Sequence, residues 1–455
     1  MKDVNNVNFE ENLDAGTVRL ALDSISIYRD LLEDKVISSL RKLVNYIDNG
    51  EINIDSTANL YNAFFFKLVR SGYFSLKDYI VDKILFSENP FSLEAEKKVH
   101  LGKVDIVKQA AAVDLKKFQI VSSLNSQDIK NRLSRYFSGN VYGKIISEFP
   151  QWETKDDFKE KNYPEYMRKI EEVLHCSDDW GKCIDDLERF HNVYGCGIFA
   201  RYIAFIWERT GKVGGYFKGI ENPDPVEFSD LVGYEKEHEI VEKNTVQFLN
   251  GFPANNVLIY GDRGTGKSST VKAILNKYYG RGLRMVELPK ADLEDFPEII
   301  GKLKGRAQKF IIFVDDLVFS DNEESYTALK SMLEGGFENK SSNVLIYATS
   351  NRRHLVKEYF SERKGSSYSD SDEEIHGEDS VQEKLSLADR FGINVVFTSP
   401  DKTGYLQIVD GIARKRKLNI DRKKLHIEAL KWERWYNGRS ARTARQFVDW
   451  MEGCQ

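Results

Sequence analysis

Residues 257 to 270 read VLIYGDRGTGKSST: an apolar run, then three glycines set around a lysine and two serines. Residues 261 to 268 match G-x-x-x-x-G-K-[ST] in full, through Gly261, Gly266, Lys267 and Ser268. The pattern constrains the fold because backbone N–H groups converge on phosphate oxygens only where no Cβ blocks the loop. It therefore requires a strand that ends, a bare loop and a helix that begins. The lysine then neutralises the β and γ phosphates, the serine hydroxyl ligates Mg²⁺, and the helix opening near Lys267 contributes the positive end of its dipole. Asp262, Arg263, Gly264, Thr265 and Ser269 complete the loop as candidate ATP contacts. A glycine-rich turn without function is the competing reading, and the apolar strand and helical stretch on either side weigh against it.

KFIIFVDDLVF supplies a second element. Ile311 to Val314 read as a buried strand, and Asp315 at its carboxyl end is placed to hold Mg²⁺ together with Ser268. Asp316 follows directly. Two acids capping a strand end would look the same in isolation, but that reading weakens beside the phosphate loop.

The rest of the chain divides by pattern. Leu22, Ile25, Tyr28, Leu32, Val36, Leu40, Leu43 and Ile47 recur at three and four, which predicts one helical face over residues 17 to 48. Aromatic-rich stretches such as ANLYNAFFFKLVRSGYF and HNVYGCGIFARYIAFIWER extend the reading to a mainly α-helical domain over residues 1–220, with Phe64, Phe65 and Phe66 as core. Residues 211 to 230 are dense in glycine and proline and read as a linker. Five β-branched runs then alternate with helical stretches: NVLIY, LRMVEL, KFIIFV, NVLIYAT and INVVFTS. That alternation predicts an α/β core over residues 221–402, a five-stranded parallel sheet flanked by helices. The polar, acidic segment at 361–384 reads as a flexible surface loop, and three helical patterns over residues 403–455 read as a lid.

A 455-residue chain that is 41% hydrophobic and 30% charged has the composition of a soluble multidomain protein. Its formal charge of −5 argues against a surface devoted mainly to nucleic acid. The amino terminus lacks the pattern of a secretory signal, and no apolar run reaches membrane-spanning length, so a cytoplasmic protein without a membrane partner is expected. The four cysteines form no CxxC pair, and buried free thiols are expected rather than a zinc site, even with His175 and His191 nearby.

The phosphate loop, acidic strand end and five-strand plan resemble the AAA+ superfamily of ATPases. NVLIYATSNRR looks like its sensor 1 strand, with Asn351 the first choice and Ser350 the second. LSLADRFG looks like the segment bearing an arginine finger, which puts that role on Arg390. GRSARTARQF looks like sensor 2, with Arg442 preferred to Arg439. Together with YGCGIFARYIAFIW and DLVGYEKEHEIVEKNTVQFL, these segments resemble one bacterial family of AAA+ ATPases of uncharacterised role, over roughly the last 260 residues. The resemblance implies strand order 5-1-4-3-2, ATP and Mg²⁺ as cofactors, and Leu231, Val232 and Gly233 beside the adenine.

The resemblance further implies ATP hydrolysis with Asp316, Asn351, Arg390 and Arg442 as catalytic groups, in a homo-oligomer expected to be hexameric. Most AAA+ sites carry Asp-Glu at the strand end, whereas this chain has Asp315 and Asp316, whose shorter reach leaves the rate open. Remodelling of an unknown protein or nucleic acid is the leading expectation. A slow ATP-gated switch or scaffold is one alternative. A DNA loader or helicase-like ATPase is another, for which NRRHL and ARKRKL offer basic clusters. Arg390 also admits a plainer reading, a surface arginine paired with Asp389 or Glu383.

Overall fold

The computed structural model describes residues 15–50, 52–97, 104–137, 141–153, 163–211, 214–317, 329–330, 333, 342–351, 390–436 and 438–453. The chain forms two compact units, Met1–Arg201 and Tyr202–Gln455. The acidic segment at 361–384 lies outside the described residues.

The described part of the first unit is helical. Every apolar position counted over residues 17 to 48 is buried, yet the single helix they suggested is two. Ala15–Asp23 and Lys35–Asp48 are separated by a bend and a 3-10 turn at Arg29–Glu33. The break is made from a distance. The fully buried Asp114 carboxylate accepts the backbone N–H groups of Ser26 (2.9 Å), Ile27 (2.6 Å) and Tyr28 (3.3 Å), which removes them from a helical ladder. Asp34 then starts the second helix by accepting Val36 N and Ile37 N. Two further expectations are corrected: Phe66 is 60% exposed beside the buried Phe64, and Cys176 is exposed while Cys183 and Cys196 are buried.

The second unit is built on a sheet of β1 (Ala204–Arg209), β2 (Gly215–Gly219), β3 (Val257–Gly261), β4 (Leu283–Glu287), β5 (Lys309–Val314), β6 (Val344–Ser350) and β7 (Ile393–Phe397). Among the described residues its order is β2-β1-β4-β5-β6-β3-β7, with only the β1–β2 pair antiparallel. The expected five-stranded parallel sheet is thereby corrected to a seven-stranded mixed sheet, in which the five runs read from the sequence lie side by side as β7-β3-β6-β5-β4, the order 5-1-4-3-2 counted from β3, with β1 and β2 added beyond β4. The added strands come from residues read as helix and linker. Phe205, Trp207 and Phe217 pack their rings together and are buried, with Trp207 and Phe217 5.0 Å apart, and this burial holds β1 against the edge of β4.

β3 carries Val257, Leu258 and Ile259 fully buried, as a strand covered on both faces requires. The helix Lys267–Tyr278 lays Val271, Ile274 and Leu275 on the sheet, each such burial contributing roughly 1.5–3 kcal/mol. Helices Lys402–Lys415, Arg422–Trp435 and Ala441–Gly453 form a separate small core around Tyr405, Val409, Ala429 and Phe447. Among the described residues no helix is long and apolar enough to cross a membrane.

Candidate functional site

Gly261 ends β3 with φ +136°, and a Cβ there would meet the carbonyl oxygen of Phe397 at 2.0 Å. Only glycine lets β7 run this close. Gly264 and Gly266 also take left-handed backbone, at φ +75° and +101°. The loop turns directly into the helix Lys267–Tyr278.

Lys267 is buried, and its ammonium donates to the carbonyls of Gly261 (3.0 Å) and Asp262 (2.7 Å) and to Asn351 Oδ1 (2.9 Å). Burial pushes its pKa below the usual lysine range, against the pull of the Asp262, Asp316 and Asp315 carboxylates. Asp262 accepts Ser399 N at 2.6 Å, and that bond holds its carboxyl below the usual range.

At the acidic end, Ser268 Oγ donates to Asp315 Oδ1 at 2.7 Å, and the Thr349 hydroxyl donates to the same oxygen. Asp316 stands at φ +49°, a left-handed conformation that costs a residue with a side chain, and Thr349 Oγ1 accepts its N–H at 3.0 Å. Asn351 donates from Nδ2 to Asp316 Oδ1 at 2.5 Å while accepting from Lys267. Its amide orientation is fixed, because an ammonium only donates and a carboxylate only accepts.

The lid helices meet this loop directly. Arg442 N donates to Gly264 O at 2.9 Å, and Ser440 Oγ caps the last helix by accepting Thr443 N at 3.1 Å. A Cβ on Gly264 would approach Ser440 Oγ to 2.9 Å and Arg442 Cβ to 3.0 Å. On the other side of the cleft, bare Gly411 makes room for Val232, and Lys415 is paired with Asp230. Tyr234, at φ +62°, stacks on Phe397 at 4.9 Å and donates its hydroxyl to Thr398 O at 2.7 Å.

The result is a cleft of about 610 Å³. Arg263 through Ser269, Leu231, Val232, Gly233, Asp315, Asp316, Asn351 and Arg442, all named from the sequence, line it. Gly261 and Asp262 lie behind that wall and hold Lys267 from below. Ser350, the second choice for sensor 1, is fully buried at the end of β6. Arg439, the second choice for sensor 2, is paired with Glu433 at 2.7 and 3.1 Å and is absent from the cleft wall. Arg390, half-buried just before β7, is not among the lining residues either, and Asp389 and Glu383 lie outside the described residues.

Sequence reading missed Tyr234, His238, Thr349, Ile408, Ile412 and Arg445 on the wall. Arg445 carried a signal, standing three residues beyond Arg442 on one helix face. Tyr234 and His238 stand four apart at the start of the helix Glu235–Leu249, as Ile408 and Ile412 do on Lys402–Lys415, but an i,i+4 pair is common to any packed helix face, and Thr349 lies alone near the end of β6. The basic cluster ARKRKL is partly neutralised: Lys415 pairs with Asp230, and Arg416 with Asp449 and Glu452. Of NRRHL, only Asn351 falls among the described residues.

These groups fit a magnesium nucleotide. Ser268 Oγ and Asp315 Oδ1 are hard oxygen donors within 2.7 Å of each other, the loop is bare at positions 264 and 266, and the cleft volume suits a nucleotide-sized ligand.

No curated protein matches the chain. A solved structure of a RuvB mutant from Thermotoga maritima is similar at 14% identity and a TM-score of 0.32, covering 50% of this chain and 64% of that one. The chain thus spans under two thirds of that protein's length. The model of the family described as a protein of unknown function, DUF815, matches residues 200–455, more than half of the sequence, and the chain belongs to that family.

Proposed function

We propose that this chain binds Mg²⁺-ATP in the cleft and hydrolyses it, as a homo-oligomeric ATPase that remodels a macromolecular partner in the cytoplasm. The observation that carries the reading is the convergence of Lys267, Ser268, Asp315, Asp316, Asn351 and Arg442 on one cleft from four separate stretches of sequence. Phosphoryl transfer is chiefly a problem of positioning and charge stabilisation, and the bound Mg²⁺ supplies neutralisation of charge on the phosphate oxygens. Lys267 gives up the carbonyls of Gly261 and Asp262 for the β and γ phosphates. Ser268 and Asp315, already hydrogen-bonded, hold the ion. Asp316 orients water, Asn351 aligns with it, and Arg442 brings positive charge from the lid. Val232 and Gly233 flank the base. Arg390 serves as the finger in a neighbouring subunit's site.

A second reading has its own support. Asp316 is shorter than glutamate and its carboxylate is engaged by Asn351, which favours slow turnover and an ATP-gated switch.

Steady-state phosphate release with Mg²⁺ tests both, for wild type and for Lys267→Ala, Asp316→Asn and Arg390→Ala, with sizing in ATP. Wild-type turnover lost at least about tenfold in each variant, with Arg390→Ala still assembling, is the expected result. Binding and assembly without phosphate release above background would sink hydrolysis and leave the switch.

A further inference from the structure

Half of the chain's six tryptophans lie in the lid. Trp152, Trp180 and Trp207 are fully buried, as large rings in a folded domain usually are. In the lid the rule is reversed: Trp435 is 76% exposed, Trp450 58% and Tyr436 48%. Two of these rings meet a third. Trp432, half-buried, lies 4.3 Å from the Tyr436 ring and 5.9 Å from that of Trp450, tilted 33° and 34°, and Trp435 ends the helix that carries Trp432. Contact with Phe447 at 6.0 Å anchors Trp432 in the lid core.

Charge gathers on the same element. Residues 402–453 hold thirteen lysines and arginines against six carboxylates, a formal +7 in a chain of −5. The helix Arg422–Trp435 exposes Lys423, Lys424, Lys431 and Arg434 beside Trp435 and Ile427. The acids flanking Trp450, Asp449 and Glu452, are both engaged by Arg416. Glu428 is held by Lys431 at 2.8 Å. With Arg416 and Lys431 engaged by these acids, the exposed cations of the helix Arg422–Trp435 that make no ion pair among the described residues are Lys423, Lys424 and Arg434.

We propose that this aromatic and basic face of the lid binds single-stranded nucleic acid, the unpaired bases stacking on Trp435, Tyr436 and Trp450 and the phosphates running along the lysines of the helix Arg422–Trp435. Unpaired bases offer π-faces to any ring, and their backbone supplies negative charge to match Lys423, Lys424 and Arg434. A protein partner would need the apolar patch but not the cations. Duplex DNA offers the charge but keeps its bases stacked.

The test is fluorescence anisotropy of a labelled short oligothymidylate against the full chain without ATP, so that failure here and failure of the proposed ATPase are separate results. Binding that weakens steeply with salt, falls about tenfold for Trp435→Ala and again for Trp450→Ala, and is poorly competed by duplex is the expected outcome. An oligouridylate arm reports whether RNA shares the site. Both tryptophans are exposed, so the variants should keep the wild-type circular dichroism. Absence of binding at low salt, or binding indifferent to both substitutions, overturns the proposal. So does a double variant that changes only the sizing profile, which would make the face a contact between copies of this chain.

Discussion

His191 is fully buried in the helical unit, edge-on to Phe91 and Phe190, with Nδ1–H donating to the Gly195 carbonyl at 2.8 Å. A second proton must go to Nε2, which has no hydrogen-bond partner among the described residues, and burial lowers the pKa to about 4. The folded value lies below the unfolded 6.5, so the neutral ring contributes its full stability above about 6.5 and loses it as pH falls toward about 4. Between about pH 7.5 and 5 this amounts to about 2 kcal/mol. Urea midpoints should fall over that interval in the wild type and fall less in His191→Phe, although the variant starts lower. Equal slopes would show that another group carries the acid limb. At this scale the candidate cleft was the more legible site: Lys267, Asp315, Asn351 and Arg442 stand inside spaced motifs. Tyr234 was hidden because its place comes from left-handed backbone and a ring stack on Phe397, neither of which leaves a local pattern.

Elements were legible where their own residues determine them. β3 to β7 each carry an apolar run closed by turn residues, whereas β1 is a short apolar run that suits helix or strand equally until Trp207 finds Phe217. The bend after Asp23 was invisible because the group that makes it, Asp114, is about ninety residues away. The lid helix Lys402–Lys415 offers a test of packing against propensity. Gly411→Ala gains about 1 kcal/mol of helix propensity, but the new Cβ would lie 2.7 Å from Val232 Cγ2. A branched side chain does not yield that distance cheaply, so the helix must lift from the segment flanking the cleft. Affinity for a fluorescent ATP analogue should drop about three- to tenfold with the lid still helical by circular dichroism. Unchanged affinity would show that the contact plays no part in nucleotide binding.

For the whole molecule, the pattern of the sequence sets a boundary at residue 221, and the sheet sets it near Tyr202. The two choices differ by β1 and β2. A chain of residues 202–455 retains every residue lining the cleft and a complete sheet, and should be monodisperse and bind nucleotide like the full protein. A chain of residues 221–455 uncovers the edge of β4 and should aggregate. Equal behaviour of the two would mean that β1 and β2 are dispensable to the sheet. The hydrogen bond from Arg442 N to Gly264 O joins the first turn of the helix Ala441–Gly453 to the glycine-rich loop before Lys267, and Trp450 rides on that same helix. Two distant ligands would then share one rigid lever. Whatever factor an occupant of the tryptophan face imposes on ATP affinity, ATP must impose on that occupant in return, so a single coupling constant, measurable from either end, governs both.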